Sequence, residues 1–304
     1  MLELIGMEIL DRFHENRHKI ALIDQKPYHS VQELKKKFPH KKICACDFYV
    51  EDAQKGKITD YGIEYESILN IDHHAPVEEM RHHISSGVLA TRYVKRFGVL
   101  DDEWIILINH KDCDSIIGSF ILAGILPPEQ KFSEAVIHAD HTGHDDDIAD
   151  LLQSIQYKED LEQIAINLNN LLNDRSIDEE AKKLMKKRKD AREFAKHELE
   201  KGNYEKYKDV AYLILDRAGD PTMLIPFLAD TKVIMMAYKS PHDSERWNIR
   251  IRLGLAAKKI HLNTLDLPDF GGRWNAGSTR RHGGTSIHPK EYAKIIQEHI
   301  DNIS

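Results

Sequence analysis

Apolar residues in this chain fall into short unbroken runs and longer periodic ones. Five short runs occupy residues 19 to 150: Lys19–Asp24 (KIALID), Lys42–Asp47 (KICACD), Ser67–Asp72 (SILNID), Trp104–Asn109 (WIILIN) and Ala135–Ala139 (AVIHA). Runs of this length without alternation read as strands buried on both faces. Between them, Ser30–Phe38 and Ser86–Phe97 carry helical spacing, with Ser30 placed to cap the first helix and Pro39 to stop it. Strand–helix alternation of this kind predicts a mostly parallel sheet with helices on both faces. Several of the runs end in Asp or lead into His and Asp, so a parallel sheet would gather those residues at one edge.

From about residue 148 the pattern turns helical and charged. Asp178–Lys201 contains neither Gly nor Pro and is followed by Gly202, which predicts one long helix with a solvated face. A second α/β region starts near Lys208, with strands expected at Val210–Leu215 and Lys232–Tyr238. Trp247–Leu253 (WNIRIRL) alternates with period two. The Gly-rich stretch Phe270–Gly284 (FGGRWNAGSTRRHGG) follows. The expected layout is a first α/β domain over 1–150, a helical connector over 151–206 and a smaller α/β domain over 207–304.

Composition narrows the function. At 304 residues, 41% hydrophobic and 31% charged, this is an ordinary water-soluble composition, and no apolar run is long enough to cross a bilayer. Glu3 and Asp11 interrupt the N-terminal stretch, so no signal peptide is expected and a cytoplasmic location is the default. Three cysteines do not make a disulfide framework; Cys44 and Cys46 read as small buried hydrophobes. A net charge of −7 argues against a long nucleic-acid partner. The 18 histidines group with aspartates rather than scatter, which points to metal ligation.

Four groupings carry that chemistry. Asp72-His73-His74 ends the run SILNI and precedes Ala75-Pro76; His110-Lys111-Asp112-Cys113-Asp114 follows WIILIN; Asp47 ends KICAC; and Asp140 lies in His138-Ala139-Asp140-His141-Thr142-Gly143. Imidazole and carboxylate together suit Mn, Fe, Co or Zn. At the last grouping His138, His141, His144 and Asp145–Asp147 all compete with Asp140.

Together these motifs resemble the DHH phosphoesterase superfamily. The Asp47-to-Asp72 interval is similar to the family spacing between its second and third motifs, and Ser85–Phe97 looks like its small-residue helix after DHH. The stretch Gly271–Gly284 is similar to the substrate loop of the associated DHHA1 domain. The motif order departs from the family, since H-x-D-x-D follows DHH here. The Gly-rich loop also lacks the usual His directly after its first glycines, a role His282 could fill. The resemblance implies a two-metal phosphoesterase with a mostly parallel DHH domain, a helical connector and a DHHA1-like domain. Its metal ligands would be His110, Asp112, Asp114, Asp47, His73 and Asp140, with two divalent ions, Mn²⁺ by preference. His74 would face the substrate phosphate and Asp72 would orient a neighbouring histidine. Arg280, Arg281, His282, Gly283, Gly284, Gly271 and Gly272 would form the substrate loop. A small nucleotide or very short oligonucleotide is the expected substrate, with no membrane partner and a homodimer left open. A RecJ-type single-strand exonuclease and a non-catalytic nucleotide-binding module are the alternatives; a family II inorganic pyrophosphatase fits the C-terminal region less well.

Overall fold

The computed structural model describes residues 8–26, 28–74 and 84–303. Residues 1–7 of the N-terminal stretch, Glu3 among them, lie outside them, as does the Ala75-Pro76 step after DHH. The described part is a mixed α/β structure that separates into two compact units. One comprises Met1–His141 with Asp145–Lys186, the other Thr142–His144 with Lys187–Ser304.

The first unit begins with helix α1 (Ile9–Asn16) and strands β1 (Ile20–Leu22) and β2 (Tyr28–His29), followed by α2 (Val31–Lys37). Strands β3 (Lys42–Cys46), β4 (Tyr49–Val50), β5 (Lys57–Thr59), β6 (Gly62–Tyr65) and β7 (Ile68–Ile71) come next. Helix α3 (Ser86–Phe97), β8 (Trp104–Ile108) and helices α4 (Cys113–Ala123), α5 (Gln130–Ile137), α6 (Asp147–Ile155) and α7 (Leu161–Leu172) complete it. Its main sheet runs β1-β8-β3-β7-β6-β5. The first four strands are parallel and the β5–β6 hairpin adds an antiparallel edge. Residues of β3 alternate between two cores: Cys44 and Cys46 face one that also holds Leu89, Ile117 and Phe120, while Ile43 and Ala45 face another with Val31 and Leu34. This two-sided burial is why the strand reads as an unbroken apolar run.

Ser30 caps α2 as its sequence predicts, accepting from the Glu33 amide at 3.1 Å. Ala135–Ala139, expected as a strand, is instead the end of α5 and the start of a wide helical turn over His138–Thr142. A short apolar run cannot by itself tell a buried strand from a buried helix, and here Phe132, Ala135 and Val136 supply the helical face. Residues of α6 and α7, within the stretch expected as a connector, bury Leu151, Leu152, Ile164 and Leu168 in the first core.

The break between units falls inside helix α8 (Glu179–Glu200), which Gly202 terminates at φ 73°. The second unit has strands β9 (Tyr204–Tyr207), β10 (Val210–Ile214), β11 (Val233–Ser240), β12 (Asp243–Leu253), β13 (Gly271–Gly272) and β14 (Ala276–Ser278), then helix α9 (Pro289–Ile303). The sheet order is β13-β14-β12-β11-β10-β9, parallel only between β10 and β11. One face packs on α9 through Tyr292, Ala293, Ile296 and Ile300; the other packs on Ala195, Met223 and Leu224.

Candidate metal centre

Because β8, β3 and β7 run parallel, their carboxyl ends lie at one edge of the first sheet. Asp47 follows β3, Asp72-His73-His74 follow β7, and His110 and Asp112 follow β8 just ahead of α4. The altered motif order therefore does not scatter the motifs, since β8 sits directly beside β3.

Asp47 is 1% exposed and holds a left-handed backbone, φ 63°, which is uncommon outside glycine and concentrates at functional sites. Its two oxygens point to different histidines. Oδ2 is 3.0 Å from His110 Nε2, which is 3.2 Å from Asp112 Oδ2. Oδ1 is 3.7 Å from His73 Nε2, and that nitrogen also lies 3.4 Å from Asp114 Oδ2 and 3.6 Å from Asp140 Oδ2. Asp47 thus belongs to two donor groups, with His110 and Asp112 on one side and with His73 and His74 on the other, while His73 also groups with Asp140 and His141.

The spacing can be tested against metal geometry. Donors about 2.1 Å from one ion at tetrahedral or octahedral angles lie roughly 3.0–3.4 Å from each other. The distances from His110 Nε2 to Asp47 and Asp112 fall inside that range, as does that from His73 Nε2 to Asp114, and those from His73 Nε2 to Asp140 and Asp47 sit a few tenths of an ångström wider. Each set combines imidazole with carboxylate, the donor mix of a first-row divalent ion. Asp47, Asp72, His73, Asp114 and Asp140 are all buried, so several carboxylates crowd a region of low polarity with histidine as the nearby counter-charge. The residues present fit divalent cations.

Helix starts position the acids. Asp112 caps α4, its Oδ1 accepting from the Ser115 amide at 3.0 Å while Oδ2 faces His110. Asp114 accepts from the amides of Ser86 and Gly87 at 2.9 and 2.6 Å, so the first turn of α3 holds both of its oxygens. Asp47 is held by two hydroxyls that the sequence reading did not single out: Ser86 Oγ donates to Oδ1 at 2.9 Å and Ser115 Oγ to Oδ2 at 2.8 Å. Their signal was local, because each stands in a small-residue helix start beside a motif. Gly118 allows this approach, since a Cβ there would sit 2.8 Å from Cys46 Sγ and 3.6 Å from the Gly87 Cα.

Electrostatics follow from this crowding. Burial, and then the Asp112 charge, push the Asp47 carboxyl above the usual carboxylate range, with His110 opposing them. Burial and the charges of Asp47, Asp140 and Asp112 push Asp114 well above it. Burial works against the charged form of His110, but Asp112 and Asp47 overcome it and its imidazole is pushed up to about 11. Burial would likewise raise Asp112, yet His110 holds it below the ordinary value.

Asp72 Oδ1 is 2.8 Å from His74 Nδ1, and that nitrogen is 3.7 Å from Asp47 Oδ1. His74 is about one-fifth exposed at its side chain, against 1% for His73. His141 Nε2 is 3.7 Å from Asp140 Oδ2, and groups with His73 and Asp140 as donors that could hold an ion. His138 is turned to Asp146 at 3.0 Å. Cys113 is fully buried in the same core as Cys46.

The expected substrate-loop residues are in the second unit. Gly271 and Gly272 pair with Ser278 and Gly277. Arg280, Arg281 and His282 form a tight turn capped by Ser278 and closed by Gly283 at φ 79°, followed by Gly284 at φ 84°. All three side chains are exposed.

No protein-family model matches the chain, and no curated protein matches it. Among solved structures it is similar to the pGpG-specific phosphodiesterase PggH from Vibrio cholerae, at 12% identity and a TM-score of 0.44, over 86% of this chain and 98% of that one. A likeness of that size assigns neither substrate nor chemistry. No described helix is long and apolar enough to cross a membrane.

Proposed function

We propose that the protein is a two-metal phosphoesterase of DHH type that hydrolyses small nucleotides or very short oligonucleotides. The observation that carries this is the division of Asp47 between two histidine-centred donor sets. In this reading His110, Asp112 and Asp47 hold one divalent ion, and Asp47, His73, Asp114 and Asp140 hold the other. Bound there, two divalent ions would polarise the phosphoryl oxygens and activate water for in-line displacement.

The chain's own residues do the positioning. Ser86 and Ser115 fix the Asp47 carboxylate, and the amides at the start of α3 fix Asp114. His74 is more exposed than its neighbour His73 and is assigned to the substrate phosphate, with Asp72 holding its Nδ1 side. Arg280 and Arg281 are assigned to anion recognition in the second unit. The catalytic, connector and substrate-binding roles of residues 1–150, 151–206 and 207–304 belong to the same proposal.

The test is hydrolysis of a panel running from 5′-phosphorylated dinucleotides to ten-residue strands, with Mn²⁺ present. The expected result is a kcat/KM that is highest for the shortest members. Processive cleavage of the longest strands, steeply suppressed by salt, would favour the exonuclease reading instead.

A further inference from the structure

Strand β7 reads Ile68-Leu69-Asn70-Ile71 and is buried along its whole length, with Asn70 as its polar residue. At 1% exposure the Asn70 amide needs partners inside the protein, because a buried amide left unpaired is costly. In the sheet it stands directly beside Ala45 of β3. It shares a face with Ile68, on the side that packs against Val31 and Leu34 of α2.

The bonds of that amide go to one stretch of chain. Nδ2 donates to the Ala45 carbonyl at 3.2 Å and to the Phe48 carbonyl at 2.9 Å, and Oδ1 accepts from the Val50 amide at 3.1 Å. Both amide hydrogens are thereby used, and turning the group over would set oxygen against two carbonyl oxygens. These bonds span residues 45 to 50, and Asp47 lies inside the span at φ 63°. A left-handed backbone outside glycine persists where its surroundings over-determine it. Here β7 does so twice: the Ile71 carbonyl accepts from the Asp47 amide at 2.9 Å, and Asn70 fixes the chain on either side.

Ser86 and Ser115 bond the Asp47 carboxylate, whereas Asn70 bonds the main chain that carries it. The direction of that carboxylate matters, because Oδ2 lies 3.0 Å from His110 Nε2 and Oδ1 lies 3.7 Å from His73 Nε2. We propose that Asn70 is a positioning residue for the cation centre. It locks the turn over residues 45–50, so that Asp47 keeps its left-handed backbone and turns one oxygen to each histidine. The inference rests on the phosphoesterase reading given above, and extends it to a residue outside the donor groups that no motif singled out.

The test separates this role from plain stability. Asn70→Ala is compared with Leu168→Ala, which opens a cavity in the first core on α7. Mn²⁺ is titrated calorimetrically into each full chain after EDTA treatment and removal of the chelator. Asn70→Ala should weaken both ions by about 10–100-fold, the usual effect of losing an outer hydrogen bond at a metal site, while Leu168→Ala binds them like wild type. Melting in EDTA is the second readout. Glycine adopts the left-handed region freely, so Asp47→Gly should raise the melting temperature more in the Asn70→Ala background than in wild type. Where Asn70→Ala does not fold, Asn70→Ser, with a single hydroxyl donor, carries both measurements. Wild-type Mn²⁺ affinity in the Asn70 variant, or an equal Asp47→Gly shift in both backgrounds, would overturn the proposal. Hydrolysis of a 5′-phosphorylated dinucleotide is followed in parallel. Hydrolysis by the wild type, with Mn²⁺ affinity unchanged in the Asn70 variant, rejects the positioning role alone. Mn²⁺ binding that weakens in the variant, in a chain whose wild type hydrolyses no dinucleotide, rejects the phosphoesterase reading and keeps Asn70 at the cation centre.

Discussion

Ser86 Oγ donates to Asp47 Oδ1 at 2.9 Å, tying the first turn of α3 to the residue that ends β3. Ser115 makes the matching contact from α4 to the other oxygen at 2.8 Å. The carboxylate shared by the two donor sets is therefore fixed by two helices at once, and its strained backbone is held by the surrounding packing.

Removing either hydroxyl should loosen the shared carboxylate without removing a ligand. Ser86→Ala and Ser115→Ala are each expected to weaken Mn²⁺ affinity by roughly 10–100-fold, as outer hydrogen bonds at metal sites do. At saturating Mn²⁺, much of the turnover should return. A metal titration of activity checks this, and an unchanged half-saturation point for both variants would count against it.

Asp47→Asn separates function from stability. Asn tolerates the left-handed backbone and removes a charge that burial and Asp112 already disfavour. Activity should fall below roughly one per cent of wild type, since both ions lose a ligand. In EDTA the melting temperature should stay level or rise. A variant that is active, or that melts well below wild type in EDTA, would contradict the assignment.

The pH dependence of stability follows from the same groups. Asp47, Asp114 and His110 all have folded-state values raised above their ordinary ones. A raised value favours the folded state below the unfolded pKa, and that contribution is lost as pH rises through the folded value. Asp112 and Asp72 are lowered, so their contribution is present above the ordinary carboxylate range and lost as pH falls below it. Between about pH 5 and pH 9 the first three dominate. EDTA-treated protein should therefore lose stability as pH rises across that window. Saturating Mn²⁺ should flatten the slope, because it screens the carboxylates and competes with the proton on His110. Denaturant melts at several pH values give the slopes, and a rising slope in EDTA would refute this.

Close packing behind the centre makes a fourth prediction. A methyl at residue 118 would meet Cys46 Sγ at 2.8 Å in a fully buried place. Gly118→Ala should cost about 1–3 kcal/mol by overpacking, and Cys46→Ala in the same chain should recover part of it. A double variant no more stable than the single one would show that the clash is relieved elsewhere.

Strands β3, β7 and β8 were readable because they are buried on both faces and lead into Asp or His, so runs such as KICACD mark both a strand and its functional end, whereas the half-exposed β5–β6 hairpin carries no such run. Ala135–Ala139 was not, because five apolar-rich residues satisfy helix and strand alike until Phe132 is seen on the same face. Ser86 and Ser115 were hidden because a serine at a helix start is usually explained by capping.

Asp47 is proposed to join two cation sites. That role is tested most directly by titrating Mn²⁺ into EDTA-dialysed wild type and Asp47→Asn, with bound metal per chain measured at each point. Two ions per wild-type chain, both weakened in the variant, and hydrolysis of a 5′-phosphorylated dinucleotide that appears with the second ion are the results this account predicts. Full hydrolysis with no bound metal, or two ions held equally tightly by Asp47→Asn, would contradict it.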